Sequence, residues 1–293
     1  ALFVGKTSRE AVNAGRADFT PCYFSEIPRL FRDGILPVDV ALIQLSPPDR
    51  HGYMSFGVSV DYTAQAARSA RLTIAEVNPR MPRTHGACIH VSEVDAFVAV
   101  DYPLTEIPLP VISEVEKQIG AHIATLIPDR ANLQLGIGAI PDAVLHFLDD
   151  KHDLGIHTEM FSDGVLDLFE QGVVTNRYNN LNPGRFTATF LMGTQRLYDF
   201  VDDNPAVTMR PVDYTNNVLV AGRVDNLISI NSALEVDLKG QVCSEMIGNQ
   251  QFSAVGGQVD FVRSASLSPG GKSIIAFPST GKSGTLSRIV KQL

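Results

Sequence analysis

With 293 residues, 44% of them hydrophobic and 19% charged, the chain has material for two domains or one large α/β domain and lacks the composition of disorder. Its net charge of -8 leaves no basic footprint and argues against nucleic acid as a partner. Apolar runs such as Val40–Leu45 and residues 274–277 are far too short to span a membrane.

Cys22, Cys88 and Cys243 form no CxxC pair and read as reduced thiols of a cytoplasmic protein. The first third alternates strand and helix signals. Residues 38–45 read as a buried strand, closed by the turn cluster Ser46-Pro47-Pro48-Asp49. Asp61 stands where it can cap a helix over 62–71. Residues 72–77 read as a strand closed by Asn78-Pro79, and 94–100 as another. Pro103, Pro108 and Pro110 then break any regular element, which marks 101–112 as a linker. A helix over 113–126 follows, with Ser113 as its cap and Glu114 and Glu116 at its positive end.

The second part repeats the pattern. Residues 132–135 read as a strand, followed by the loop Gly136-Ile137-Gly138 and by Pro141 at the start of a helix reaching 148. Residues 154–157 read as the next strand, then comes a turn carrying Glu159, then a helix over 163–171 that Gly172 terminates. Later strands are expected at 218–221, 227–230 and 274–277. This alternation predicts two open α/β domains with largely parallel sheets, 1–110 and 111–293, and a site in the crevice between them. Both ends fall inside strand-like runs, so the first domain reads as truncated at its start and the second at its end.

Glu159 is the chemical focus. It follows a buried-type strand, with the Gly136-Ile137-Gly138 loop before it and Val255-Gly256-Gly257-Gln258 far beyond it. A carboxylate between loops of bare backbone N–H groups suits acyl transfer: it attacks a carbonyl while the N–H groups hold the resulting oxyanion. Either feature alone is weak, since a GxG after a strand is commonly a tight turn and a glutamate before a helix commonly matches its dipole. Asp163 reads as a helix cap rather than a second acid, and His157 as a structural hydrogen-bonding group. His85 and His90 lack the spacing of metal ligands, so no metal is expected. Residues 279–284, Ser-Thr-Gly-Lys-Ser-Gly, lack phosphate-loop spacing and read as a turn, and nothing selects Lys272 or Arg263 as a phosphate contact.

Taken in order, several segments carry a family resemblance. They are Pro47-Pro48-Asp49 with His51-Gly52-Tyr53-Met54-Ser55-Phe56-Gly57, Gly136-Ile137-Gly138 with Pro141-Asp142-Ala143-Val144, Thr158-Glu159 with Asp163-Gly164, residues 231–238, and Gly256-Gly257-Gln258-Val259-Asp260-Phe261. Together they resemble the acetyl-CoA hydrolase/transferase family, nearest to its 4-hydroxybutyrate and butyrate-type CoA-transferases. The resemblance implies that Glu159 is the nucleophile, and that Gly136, Ile137, Gly138, Ala139, Ile140, Leu234 and Gly257 contact coenzyme A. Glu235 is set aside because the family pattern places the reactive carboxylate shortly after the GIG loop. Implied too are acyl-CoA and short-chain carboxylate substrates, a glutamyl-CoA thioester intermediate, a homo-oligomer, and no cofactor beyond coenzyme A as substrate. An acyl-CoA hydrolase using the same glutamate is the alternative.

Overall fold

The computed structural model describes residues 1–281 and 284–293. Its centre is a parallel sheet in the order Lys272–Ile275, Leu227–Asn231, Asn132–Leu135, Gly155–Ile156. Every residue of Asn132–Leu135 and Leu227–Asn231 is buried, as expected for parallel strands covered on both faces. A single parallel bridge, His157 to Thr187, carries this sheet into a second one of Phe186–Ala188, Val207–Met209 and His85–Gly86. The last of those strands comes from the amino-terminal third, and one continuous apolar core runs from Ala41 through Leu133 and Phe186 to Ile230. The division at 110 is therefore crossed by both a strand pairing and the core. Among its aromatic groups, Phe161 stacks on Phe186 at 5.1 Å, with Phe200 edge-on to both and Phe169 edge-on to Phe186 and Phe200; the fully buried rings of Phe161 and Phe186 contribute roughly 1.5–3 kcal/mol each.

A smaller parallel sheet, Val40–Leu45, Leu72–Val77 and Ala96–Ala99, lies to one side. The run at 40–45 is not buried throughout, as its unbroken apolar character suggests, but alternates: Ala41, Ile43 and Leu45 face the core while Val40 and Leu42 are exposed. Period-2 geometry decides this once one face of a strand lacks a covering layer.

The helix Glu114–Ala124 starts where expected. Ser113 Oγ accepts the Glu116 N–H and the Glu116 carboxylate accepts the Ser113 N–H at 2.7 Å, a reciprocal cap. It packs on helix Ala139–Leu145, where a Cβ at Gly120 would stand 2.8 Å from Ala143 O. That second helix begins earlier than expected, which puts Pro141 third in the first turn, where no intrahelical N–H is lost. Residues 218–221 form a helix, not a strand. Asn217 Oδ1 accepts the Leu219 N–H at 2.9 Å, and this cap overrides the strand preference of two valines. Among the described residues no helix is long and apolar enough to cross a membrane.

Candidate active site

Parallel strands bring their carboxyl ends to one edge, and four segments of interest meet there. Asn132–Leu135 runs into Gly136, Gly155–Ile156 into His157-Thr158-Glu159, and Leu227–Asn231 into Ser232. The Gly256-Gly257 loop arrives ahead of helix Gln258–Leu267, which packs back on the same sheet. They enclose a pocket of about 330 Å³ whose walls include Gly136, Ile137, Glu159, Gly256 and Gly257.

The Glu159 backbone is held on both sides. Thr158 Oγ1 accepts the Leu135 N–H at 3.1 Å and the Thr158 N–H donates to Thr187 O at 2.9 Å. Glu159 O accepts the N–H groups of Thr189 and Phe190 at 3.0 and 3.2 Å. A short further strand, Met160–Phe161, pairs with Phe190–Leu191, so the nucleophile candidate lies between two strands and not in a free turn before a helix. His157, fully buried, bonds through Nε2 to Thr215 O at 2.8 Å; burial pushes its pKa down to about 4 and keeps it neutral. That is the structural bond the sequence suggests.

Two residues on, the Glu159 side chain points the same way and meets the next residue of the same segment. Asn216 Nδ2 donates to Glu159 Oε2 at 2.6 Å. Asn216 caps the end of helix Val212–Thr215, and nothing in its sequence neighbourhood beyond turn-type composition marks it. Burial raises the Glu159 pKa to about 7; the Asn216 bond opposes that rise, while the Asp260 and Asp61 carboxylates add to it. The expectation from an isolated glutamate, which titrates near 4.3 and ionises without help, is therefore corrected: the surrounding protein removes water that would stabilise the charge.

Gly257 is where the second loop touches the Glu159 carboxylate. A Cβ there would overlap Glu159 Oε2 and Asn216 Nδ2, so only glycine leaves room. At Gly136 a Cβ would stand 2.8 Å from Asn231 Oδ1. Beneath it, Gln134 Oε1 accepts from Ser229 Oγ at 2.7 Å and Asn231 Nδ2 at 2.9 Å, a buried polar floor. The remaining residues named for coenzyme A stand back from this pocket. Gly138 precedes helix Ala139–Leu145 with φ 128°, Ala139 opens that helix, and Ile140 is buried in the core. Leu234 donates its N–H to Cys243 O at 2.8 Å and accepts Arg288 Nε at 2.6 Å. Glu235 lies in strand Glu235–Asp237, also outside the pocket lining.

Asp260, unremarked in the GGQVDF run apart from its motif, is only 2% exposed. Its carboxylate accepts the Ser25 N–H at 3.0 Å and Ser25 Oγ at 2.9 Å, and burial raises its pKa to about 6. Asp163 does stand at the start of helix Gly164–Glu170, but its side chain serves a different one. It accepts the Thr194 N–H at 2.8 Å and Thr194 Oγ1 at 2.7 Å, ahead of helix Gln195–Val201. His85 pairs with Asp203 at 3.2 Å and His90 with Ser92 at 2.8 Å. Lys272 Nζ is engaged by Leu126 O at 2.9 Å. In the 279–284 turn, the Gly284 N–H donates to Gly281 O at 2.8 Å; Lys282 and Ser283 lie outside the described residues.

The comparisons with known proteins agree in direction. A family model described as the acetyl-CoA hydrolase/transferase N-terminal domain matches residues 1–112, and its C-terminal counterpart matches 193–293. The 4-hydroxybutyrate coenzyme A transferase of Clostridium kluyveri is 60% identical over the whole chain, which spans 68% of that protein. The crystal structure of 4-hydroxybutyrate CoA-transferase from Porphyromonas gingivalis superposes with a TM-score of 0.86 at 47% identity, over 96% of this chain and 68% of that one. An acetyl-CoA hydrolase of Yarrowia lipolytica is 26% identical over 90% of the chain and 59% of its own length.

Proposed function

The chain belongs to the acetyl-CoA hydrolase/transferase family, and from that premise we propose that it is a CoA-transferase moving CoA from an acyl-CoA to a free carboxylic acid through Glu159. One observation carries the reading: a carboxylate with, among the described residues, a single protein donor on one oxygen, opening onto a pocket walled by both glycine loops. Hydrolase relatives stand at 26% identity against 60% for a transferase, which favours transfer over hydrolysis.

The ionised Glu159 attacks the thioester carbonyl, the C–S bond breaks, CoA thiolate leaves, and an acyl-glutamyl anhydride forms. The thiolate then attacks the glutamyl carbonyl. The first carboxylate departs and a glutamyl-CoA thioester remains. A second carboxylate attacks that thioester and expels the thiolate, which closes on the new acyl carbonyl and frees Glu159. Each addition passes through an oxyanion. The donors we assign to it are Asn216 Nδ2, which bonds Glu159 Oε2, and the backbone N–H groups of Ile137 and Gly257 in the wall of the same pocket. Removing one donor of this kind costs about 3–4 kcal/mol of barrier.

Burial serves this chemistry. A carboxylate stripped of water is a stronger nucleophile, and a site without water protects the anhydride and thioester from hydrolysis. The consequence of a pKa raised to about 7 is that the ionised form of Glu159 gains population as pH rises through neutrality. In an assay of acyl-CoA with and without acetate, formation of acetyl-CoA with no net thiol release supports transfer; thiol release that does not depend on acetate means hydrolysis.

A further inference from the structure

We infer that Asp260 is a positioning residue for Glu159, locking the Gly256-Gly257 loop that abuts the Glu159 carboxylate to the Phe24–Glu26 turn. The inference rests on the CoA-transferase reading. Asp260 opens the first turn of helix Gln258–Leu267, three residues past Gly257. Its two oxygens are occupied from 235 residues away by Ser25, through the N–H at 3.0 Å and Oγ at 2.9 Å. Beside this, the Phe24 N–H donates to Gly256 O at 3.2 Å. The glycine loop and its helix are thereby fastened at two adjacent points to one turn of the amino-terminal segment.

The fastened loop abuts the Glu159 side chain. The Asn216 amide donates to Glu159 Oε2 at 2.6 Å, and a Cβ at Gly257 would overlap both Glu159 Oε2 and Asn216 Nδ2. Where the loop sits therefore sets the space in which the carboxylate and its amide donor meet. With Asp260 removed, the helix behind the loop loses its anchor to Ser25 and that space is no longer fixed.

Asp260 also acts by its charge. Around Glu159 the ionisable neighbours are Asp260 and Asp61, both of which disfavour its ionised form. Around Asp260 stand Glu26, Arg29 and Arg32 from the amino-terminal segment, Arg263 from its own helix, Asp213, and Cys22 nearby. His157 faces Thr215 O and stays neutral. Neutralising Asp260 removes a like charge, so the Glu159 carboxyl should ionise at lower pH.

The test is the pH profile of kcat and kcat/KM for acyl-CoA:carboxylate exchange in Asp260→Asn and Ser25→Ala, with Glu159→Ala alongside. Asp260→Asn keeps the shape, removes the charge, and replaces one of the two oxygens that accept from Ser25 by a donor. The expected result is a kcat lower by about ten- to a hundredfold, KM for acyl-CoA within about threefold, and an acid limb displaced to lower pH. Ser25→Ala should move kcat and the limb in the same directions by less, and it carries the test if Asp260→Asn fails to fold. A merely structural Asp260 would lower the melting temperature and leave kcat and the limb where they are; that result, with Glu159→Ala inactive, overturns this inference alone. Turnover retained in Glu159→Ala overturns the reading beneath it.

Discussion

The two glycine loops that flank Glu159 look alike as sequence and differ as structure. In the upstream loop, Gly138 adopts φ 128° with open space where a Cβ would project, and Ile137 is 55% exposed. Its glycine answers a backbone requirement, since that φ is one side chains rarely adopt. In the downstream loop, Gly257 has an ordinary φ of -100°, yet a Cβ there would overlap the Glu159 carboxylate and the Asn216 amide. Its glycine answers a requirement for space beside the Glu159 carboxylate. One loop is glycine for its path, the other for what it must touch.

Substitutions can break or sharpen that contrast. Glu159→Ala, which removes the attacking group that both loops surround, should abolish exchange, with a loss beyond about 10⁴-fold in kcat and unchanged circular dichroism. Next comes Gly257→Ala. By displacing Glu159 and Asn216 it should lower kcat/KM by about 10²- to 10³-fold; near-normal kinetics would show that the loop does not press on the carboxylate. Asn216→Ala removes one donor and should lower kcat by about a hundredfold. The Asn216 bond holds the Glu159 pKa down, so its loss should also move the acid limb to higher pH, opposite in sign to Asp260→Asn.

A stability measurement has its own sign. The Glu159 pKa is raised on folding to about 7, so the folded state binds the proton more tightly than the unfolded one. The stability this contributes is complete below the unfolded pKa and lost as pH rises through 7. Glu159→Gln should therefore be more stable than wild type at pH 8 by about 1–3 kcal/mol, read by denaturant unfolding, with the gap closing toward pH 5. A constant gap would mean the carboxylate is not titrating as its burial requires. The smallest effect is expected for Gly138→Ala, a loss of roughly 1 kcal/mol of stability from backbone strain, with kinetics changed far less than in Gly257→Ala.

Much of the framework can be read directly from residue order. Leu72–Val77 and Asn132–Leu135 are strands where alternation and apolar runs place them, and Ser113 with Glu116 caps its helix. Local signals suffice in those places because propensity, pattern and tertiary burial agree. They fail at 218–221, where a capping asparagine outweighs β-branched side chains, and at Asp163, whose carboxylate reaches across to Thr194. The site divides in the same way. Glu159 and Gly257 are visible through strand ends, glycine and the ordered motifs. Asn216, Asp260 and Ser25 act through contacts 57 and 235 residues apart, and no local pattern encodes which distant groups a fold brings together.

The most direct measurement is chemical capture at position 159. Treating the protein with an acyl-CoA, then with borohydride, and mapping its peptides by mass should find the Glu159 side chain reduced to an alcohol, one oxygen lost and two hydrogens gained, only when acyl-CoA was present. An unmodified Glu159 peptide under conditions of active exchange, or the alcohol on any other carboxylate, would contradict covalent transfer through this side chain.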